Sequence, residues 1–219
     1  MPDNGIEDGT GDMLHSIKVF SDASIRAADG EIGKVSDFYF DDLTWMVRYL
    51  VVDPGSWLTP RKVLIAVTAI GDPDWERRVV PVRLTKEQVR HAPDVDTEKP
   101  VSRQQEIAMS RYFGWPTYWS PRVPSGLYTA AMEYPTGPED NPHLRSVWAI
   151  AGYSVWAPEG EVGCLDDFIM DDAGWHIGYL VVKTGSWLSG HNLLVSTSGV
   201  RSISWGNRRL DLARSRAAA

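Results

Sequence analysis

The sequence predicts a mainly β protein in which two small antiparallel β-barrels are joined by a segment with short helices. The first observation behind this prediction is an internal repeat, because residues 30–71 and 160–201 align without a gap at a constant offset of 130 residues and share 17 of 42 positions. The second is a period-two alternation of apolar positions, which is typical of β-strands. The third is the presence of glycine-rich turns between short runs of this kind, which is typical of small barrels.

The differences between the two copies indicate a repeated fold unit. Most exchanges keep volume and polarity, as in Ile32 and Val162 or Ile65 and Val195, and a packed interior tolerates such exchanges best. We therefore interpret the repeat as an internal duplication of a structural domain. Each unit is small enough to be marginal alone, so we expect the copies to pack on each other or on the connecting segment.

The elements of each copy follow in order from the pattern. Residues 35–40 and 165–170 carry apolar side chains spaced three and then two apart, which predicts a β-bulge near Asp37 and Asp167. Gly33 and Gly163 predict a second bend in the same strand. The turn residues at 41–44 and 171–174 then lead into the alternating runs 45–52 and 175–182, so each copy contains a hairpin. Later strands are expected at 63–67 and 79–84, and at 193–197 and 210–212.

The segment between the copies has a different character. Thr85 begins a capping box for a short helix that Pro93 ends, and Ser102 begins a second helix. Residues 114–142 are rich in proline and aromatic residues, which predicts an extended linker. The predicted organisation is a flexible acidic tail at 1–12, a first barrel at 13–84, helices and linker at 85–143, a second barrel at 144–214 and a tail at 215–219.

Composition restricts the class of protein. The formal net charge of -7 does not favour phosphate-driven binding of nucleic acid. The single cysteine, Cys164, gives no intramolecular disulfide and agrees with a reducing compartment. The first twelve residues have no apolar core of a signal peptide, and no apolar run is long enough to span a bilayer. We therefore expect a cytoplasmic protein without a transmembrane segment.

Two sets of acidic residues are candidates for metal binding or for another functional role. Oxygen-rich turns can bind hard cations, so the weak candidates for a metal are the paired aspartates Asp41, Asp42, Asp171 and Asp172. Adjacent turn residues usually point apart, however, and ordinary turn hydrogen bonding is the favoured interpretation. For Asp37 and Asp167 the alternatives are a partly buried, pKa-shifted functional group and a cap on a backbone N–H at the bulge, and the cap is favoured. We predict no metal and no cofactor.

Tryptophan-bearing loops are the candidates for binding a partner. The motif Gly-Ser-Trp-Leu occurs once in each copy, and aromatic residues at loop tips commonly anchor protein interfaces. The alternative is that each tryptophan folds back to close one end of its barrel. The candidate interaction residues, including two from the linker, are Trp57, Leu58, Trp187, Leu188, Trp115 and Trp119. No motif for nucleophilic, metal-dependent or phosphate-binding chemistry is present, so the sequence predicts no enzyme.

The motifs resemble one known family. The run GEIGKVSDFYFDD, followed by WMVRYLVVD and KVLI, resembles the PRC-barrel domain, and the second copy carries the same pattern. The segments LTKEQV, PVSRQ and YFGWPTYW are similar to the region that follows the first barrel in bacterial tandem PRC-barrel proteins, so the resemblance extends over about residues 14–214. It implies PRC-type barrels that serve as docking or assembly modules without catalytic residues.

The leading hypothesis from the sequence is a non-enzymatic module for protein–protein interaction or assembly, whose partner is another protein or a second copy of the chain. The alternative is a small-ligand or metal-binding protein that uses a cleft between the barrels and the linker.

Overall fold

The protein is mainly β, and its strands form two sheets. The computed structural model describes residues 6–7, 13–58, 61–93, 103–117, 144–185 and 191–213. The elements up to the linker are β1 (Ile6–Glu7), β2 (Met13–Ser16), α1 (Ile17–Phe20), β3 (Ser24–Ala27), β4 (Gly30–Asp41), β5 (Val47–Asp53), β6 (Val63–Ala66), β7 (Val79–Pro81), α2 (Lys86–Arg90) and α3 (Arg103–Phe113). Those that follow are β8 (Leu144–Ser146), α4 (Val147–Ile150), β9 (Ser154–Ala157), β10 (Gly160–Asp171), β11 (His176–Thr184), β12 (His191–Ser196), β13 (Val200–Ser204) and β14 (Arg209–Leu212).

The bulge predicted in the long strand of each copy is confirmed. The pairing of β4 with β5 shifts register between Val35 and Asp37, and the pairing of β10 with β11 shifts between Leu165 and Asp167. The extra residue returns the apolar side chains on both sides of the bulge to the inner face, where Val35 and Phe38 are each 1% exposed. The hairpins and the capping box at Thr85 are also confirmed.

At the bend predicted for the paired glycines, the backbone of the neighbouring strand comes very close to the glycine. A Cβ atom on Gly33 would lie 2.1 Å from the carbonyl oxygen of Asp53, and one on Gly163 would lie 2.0 Å from that of Lys183. Their φ angles of 144° and 157° also disfavour other residues. Both copies therefore need glycine at this position for steric reasons.

Short strands are exchanged between the halves. Strand β2 does not join the sheet of β4 but pairs antiparallel with β10, whereas β8 pairs antiparallel with β4. The division into units 13–84 and 144–214 predicted from the sequence is therefore crossed by sheet membership at β2 and at β8. Strand β1, inside the segment predicted to be a flexible tail, pairs with β2.

The prediction of closed, fully antiparallel barrels needs correction. Strand β3 pairs parallel with β7, and β9 pairs parallel with β14. Among the described residues, no ladder connects β6 to β7 or β12 to β13, so the hydrogen bonding defines two sheets and not closed barrels. Short 3₁₀ turns at Val67–Ala69 and Thr197–Gly199 end the extended conformation after β6 and β12. In β7, Pro81 has no N–H to donate to a further strand.

The two halves share one hydrophobic core. A single cluster of buried residues includes Phe20 and Phe38 from the first half and Phe168 and Leu180 from the second. The expectation that the copies pack on each other is therefore confirmed. Of the helices in the described part of the chain, none has the length and apolar character needed to cross a bilayer.

Candidate functional site

The two hairpins meet through reciprocal backbone hydrogen bonds. The amide of Val47 donates to the carbonyl of Trp175 at 2.8 Å, and the amide of Ile177 donates to the carbonyl of Trp45 at 2.9 Å. Both tryptophans have positive φ angles, 57° and 56°, a conformation that costs a residue other than glycine about 1–3 kcal/mol. The reciprocal bonds and the stacking of Trp45 on Phe40, with ring centroids 5.2 Å apart, hold this conformation in place.

The bulge aspartates clamp the exchanged strands. The hydroxyl of Ser146 donates to Asp37 Oδ2 at 2.5 Å, and the hydroxyl of Ser16 donates to Asp167 Oδ2 at 2.5 Å. Each aspartate also accepts from the amide of the phenylalanine that follows it, at 2.7 Å for Asp37 and 2.8 Å for Asp167. The prediction that they cap backbone N–H groups at the bulge is confirmed, and their second role is to tie one half to the other.

Burial raises the pKa of Asp37 above its usual value of 3.8. Hydrogen bonds from Ser146 and from the amides of Phe38 and Trp148 act in the opposite direction, because they stabilise the carboxylate, but the loss of hydration outweighs them. The burial of a charged carboxylate at Asp37 is therefore unfavourable by itself. Its hydrogen bond to Ser146, which attaches β8 to β4, gives the residue a structural role.

The four weak candidates for metal ligands are occupied by protein donors. Asp41 and Asp171 accept hydrogen bonds from the amides of their own turns, at 2.8–3.1 Å. Asp42 pairs with Arg145 at 3.1 Å, while Asp172 accepts from the indole of Trp75 at 2.6 Å. Within the residues that the structure describes, no group of three His, Cys, Asp or Glu side chains converges as metal ligands would.

Asp172 also faces a histidine of the exchanged strand. His15 Nε2 lies 3.2 Å from Asp172 Oδ2 but forms no aligned hydrogen bond with it, and the same oxygen accepts from the indole of Trp75. The His15 ring is 4% exposed and packs against Phe20 and Trp75, with centroid distances of 5.3 and 5.6 Å. His15 and Arg145 occupy equivalent positions in β2 and β8, so each contacts an aspartate in the sheet that its strand completes.

Three of the six predicted interaction residues lie in the part of the chain that the structure describes. Trp57 belongs to a 3₁₀ turn at Gly55–Trp57, and Leu58 is half-buried against the shared core. Trp115 stacks on Phe113, with ring centroids 4.2 Å apart and an interplanar angle of 13°. The remaining candidates, Trp119, Trp187 and Leu188, lie outside the described residues.

An open groove lies between the hairpin turn of the first half and the second sheet. It has a volume of about 580 Å³ and is lined by residues that include Leu43, Trp45, His176, Tyr179 and Ser198. A second groove of about 490 Å³ lies on the other side of Leu43 and is lined by Asp42, Arg145 and Trp205 among others. Both grooves are open to solvent and are lined by residues of both halves. The predicted cleft between the barrels and the linker stays a prediction, because residues 118–143 of the linker lie outside the described residues.

The outer face of the first sheet is covered by α3. The cluster on this face contains Tyr39, Tyr49, Val51, Leu64, Ala66, Leu144 and, from the helix, Met109, with Phe113 and Trp115 packed beside it. Met109 is fully buried, and Glu106, which is 3% exposed, accepts a hydrogen bond from the hydroxyl of Tyr49 at 3.3 Å.

The equivalent face of the second sheet is open in the described part of the protein. We call it the open face, and its residues are Leu14, Ile169, Tyr179, Val181 and Leu194. Tyr179 is 40% exposed and Leu194 is 51% exposed, whereas their counterparts Tyr49 and Leu64 are 4% and 1% exposed. The sequence did not predict this face, because period-two alternation does not show which outer face of a sheet becomes covered.

The architecture therefore defines a mainly β, two-sheet protein whose halves share a core and clamp each other's strands. Residues 22–89 match the model of the PRC-barrel domain, so this part of the chain is similar to that domain. The matched segment includes β3 to β7 but not β8, which completes the first sheet. No curated protein matches the chain.

Proposed function

We propose that the protein is a non-enzymatic module for protein–protein interaction or assembly, built from two PRC-type barrels that arose by duplication. The match over residues 22–89 supports the assignment of the first half, because this domain is a generic module that is often involved in interactions. The 130-residue offset between β4 and β10, and the reciprocal exchange of β2 and β8, support a second unit of the same kind.

The open face carries the proposal of binding. Apolar side chains on a sheet surface contribute to affinity when a partner removes them from water, at about 25 cal/mol per Å². A large exposed aliphatic residue beside an exposed tyrosine is the kind of patch that marks an interaction site. The bound protein would be another protein or a second copy of the chain.

A quantitative capture experiment tests the proposal. The wild-type chain, Leu194→Ser and Leu43→Ser are immobilised and exposed to a lysate of the native cells, and bound proteins are quantified by mass spectrometry. Leu43→Ser is a matched control, because Leu43 is 70% exposed and lies in the hairpin turn of the first half. It lines the groove that Tyr179 also lines, but it does not belong to the open face. We expect a protein that the wild type and Leu43→Ser retain and Leu194→Ser loses.

Self-association is measured in parallel by light scattering over a range of concentrations. A wild-type chain that stays monomeric and retains no protein in a Leu194-dependent way would refute the proposed function.

The groove at Leu43 favours a second candidate function, the binding of a small ligand. It combines an apolar wall at Leu43 and Trp45 with polar groups at His176 and Ser198, a combination typical of ligand sites. A thermal-shift screen against metabolites and metal ions tests this function. A compound that raises the melting temperature of the wild type and of Leu194→Ser, but not of Leu43→Ser, would favour it over protein binding.

A further inference from the structure

We infer that the open face binds a short amphipathic helix of a partner protein, in the position that α3 occupies on the first sheet. This inference rests on the proposed function and specifies the kind of partner. It follows from the comparison of two equivalent surfaces, one covered by α3 and the other with no helix packed on it among the described residues.

The two faces keep the same chemistry at equivalent positions. The tyrosine, the valine and two leucines are identical in both, as in Tyr49 and Tyr179 or Leu64 and Leu194. Of the two further positions, Tyr39 changes to Ile169 and remains apolar, whereas Ala66 changes to the polar Ser196. In the first sheet these residues are apolar where α3 buries them. In the second sheet Val181 is buried, Leu14 and Ile169 are half-buried, and Tyr179 and Leu194 are exposed, so the exposed pair indicates a surface that a partner also covers.

The first sheet shows what an occupant of such a face looks like. Helix α3 inserts Met109, and the chain after it places the stacked pair Phe113 and Trp115 at the edge of the cluster. Glu106 accepts from the hydroxyl of Tyr49 at 3.3 Å. A partner helix on the open face would present methionine or aromatic anchors at helical spacing and an acceptor for the hydroxyl of Tyr179.

The size of the open face favours a single helix over a second copy of the sheet. Its residues lie on the four neighbouring strands β2, β10, β11 and β12, whose axes span about 14 Å at the usual strand spacing of about 4.8 Å. Along the strands it extends over two outward-facing positions, about 7 Å, and its area is on the order of 200–300 Å² with side chains included. A stable dimer buries about 800 Å² on each partner, whereas a helix about 10 Å wide covers this face.

The border of the open face is polar, as around a docking site. Beyond Val181, Asp166 forms ion pairs with Lys18 at 2.7 Å and with Lys183 at 2.8 Å. Partial burial acts against ionisation, but the hydrogen bonds from both lysines lower the pKa of Asp166. The border therefore stays charged at neutral pH and confines the apolar contact to the five central residues.

A peptide titration tests the inference with purified components. The probe is a fluorescein-labelled peptide with the sequence of residues 103–116, blocked at both ends, and binding to the full-length chain is followed by fluorescence anisotropy. We expect saturable binding with a dissociation constant below about 1 mM, because α3 already fits the equivalent face. Leu194→Ser and, separately, Tyr179→Thr should each weaken binding at least about tenfold, as expected for central apolar anchors.

Two controls make the result specific. Leu43→Ser should bind the peptide as the wild type does, and a peptide with Met109→Ser and Phe113→Ser should not bind. Both residues changed on the open face are substantially exposed, so circular dichroism should show that the variants keep the wild-type fold. The inference is overturned if the wild type shows no saturable binding, or if the peptide binds equally to both open-face variants, because it would then occupy another surface.

The titration and the capture experiment fail independently. Peptide binding at the open face without any captured protein would leave the helix site in place and remove the proposed function. A captured protein that depends on Leu194, together with no peptide binding, would keep the proposed function and exclude a helical partner. A photo-crosslinker at position 179 then identifies the captured segment, and a non-helical segment would also overturn the inference.

Discussion

Removing the hydroxyl of Ser146 should destabilise the protein more than removing that of Ser16, although the two serines occupy equivalent positions. Ser146 donates to the carboxylate of Asp37 at 2.5 Å and also accepts from the amide of Ala149 at 3.0 Å, as the N-cap of α4. A hydrogen bond to a charged group contributes about 1.5–3 kcal/mol and an N-cap about 1 kcal/mol, so Ser146→Ala should lower the free energy of unfolding by about 2.5–4 kcal/mol.

Ser16 makes only the first kind of contact, to Asp167 at 2.5 Å, and forms no side-chain cap on α1. The expected loss for Ser16→Ala is therefore about 1.5–3 kcal/mol. Urea unfolding followed by both tryptophan fluorescence and circular dichroism measures the two values. Ser198→Ala, at an exposed site in a 3₁₀ turn, is the control and should change stability by less than about 0.5 kcal/mol.

Hydrogen exchange adds a readout of the strand exchange itself. Ser16→Ala should increase amide exchange in β10, since β2 pairs there, and Ser146→Ala should increase it in β4. If Ser16→Ala instead loosened β4, or if neither substitution cost more than the control, the description of reciprocal clamps would be refuted.

Three further predictions concern the bends, the buried carboxylate and the contact between the halves. Gly163→Ala should lower the free energy of unfolding by about 3 kcal/mol or more, because its Cβ would lie 2.0 Å from the carbonyl oxygen of Lys183. Gly199→Ala is the control, since a Cβ there meets no atom within 4 Å. Equal stability of the two variants in urea would contradict the steric argument. The folded-state pKa of Asp37 is raised, so protonation of its carboxyl stabilises the fold fully below the unfolded value of 3.8, and this stabilisation is lost as pH rises through the folded pKa. Asp37→Asn should therefore gain stability relative to wild type between about pH 3 and about pH 7. A constant difference in melting temperature over that range would be inconsistent with a raised pKa. Trp75→Phe removes the N–H donor to Asp172 and should lower the free energy of unfolding by about 1–3 kcal/mol, as measured by thermal unfolding against the wild type. An unchanged melting temperature would mean that this indole does not bridge the halves.

The local features of each copy were predictable because their causes lie within a few residues. The three-then-two spacing around Asp37 can face one way only with an extra residue in the strand, and the structure has the bulge there. The aspartates after each long strand were predictable as turn residues because their hydrogen bonds are also local. Asp41, for example, accepts from the amides of Leu43 and Thr44. The parallel pair of β3 and β7 was missed because short strands carry no signal for their direction of pairing.

The amino-acid sequence by itself determined the repeat, the mainly β character, the bulges and the bends at the paired glycines, since each depends on backbone and side-chain constraints between neighbouring residues. Only the tertiary structure decided which sheet β2 and β8 complete, and which outer face α3 covers. Strands β2 and β8 occupy equivalent positions and could pair with either long strand, so the choice depends on contacts between residues more than a hundred positions apart, such as Ser146 with Asp37. The open face follows from the same kind of choice, because α3 packs on one of two similar apolar surfaces, and in the described part of the chain Tyr179 and Leu194 of the other surface stay exposed.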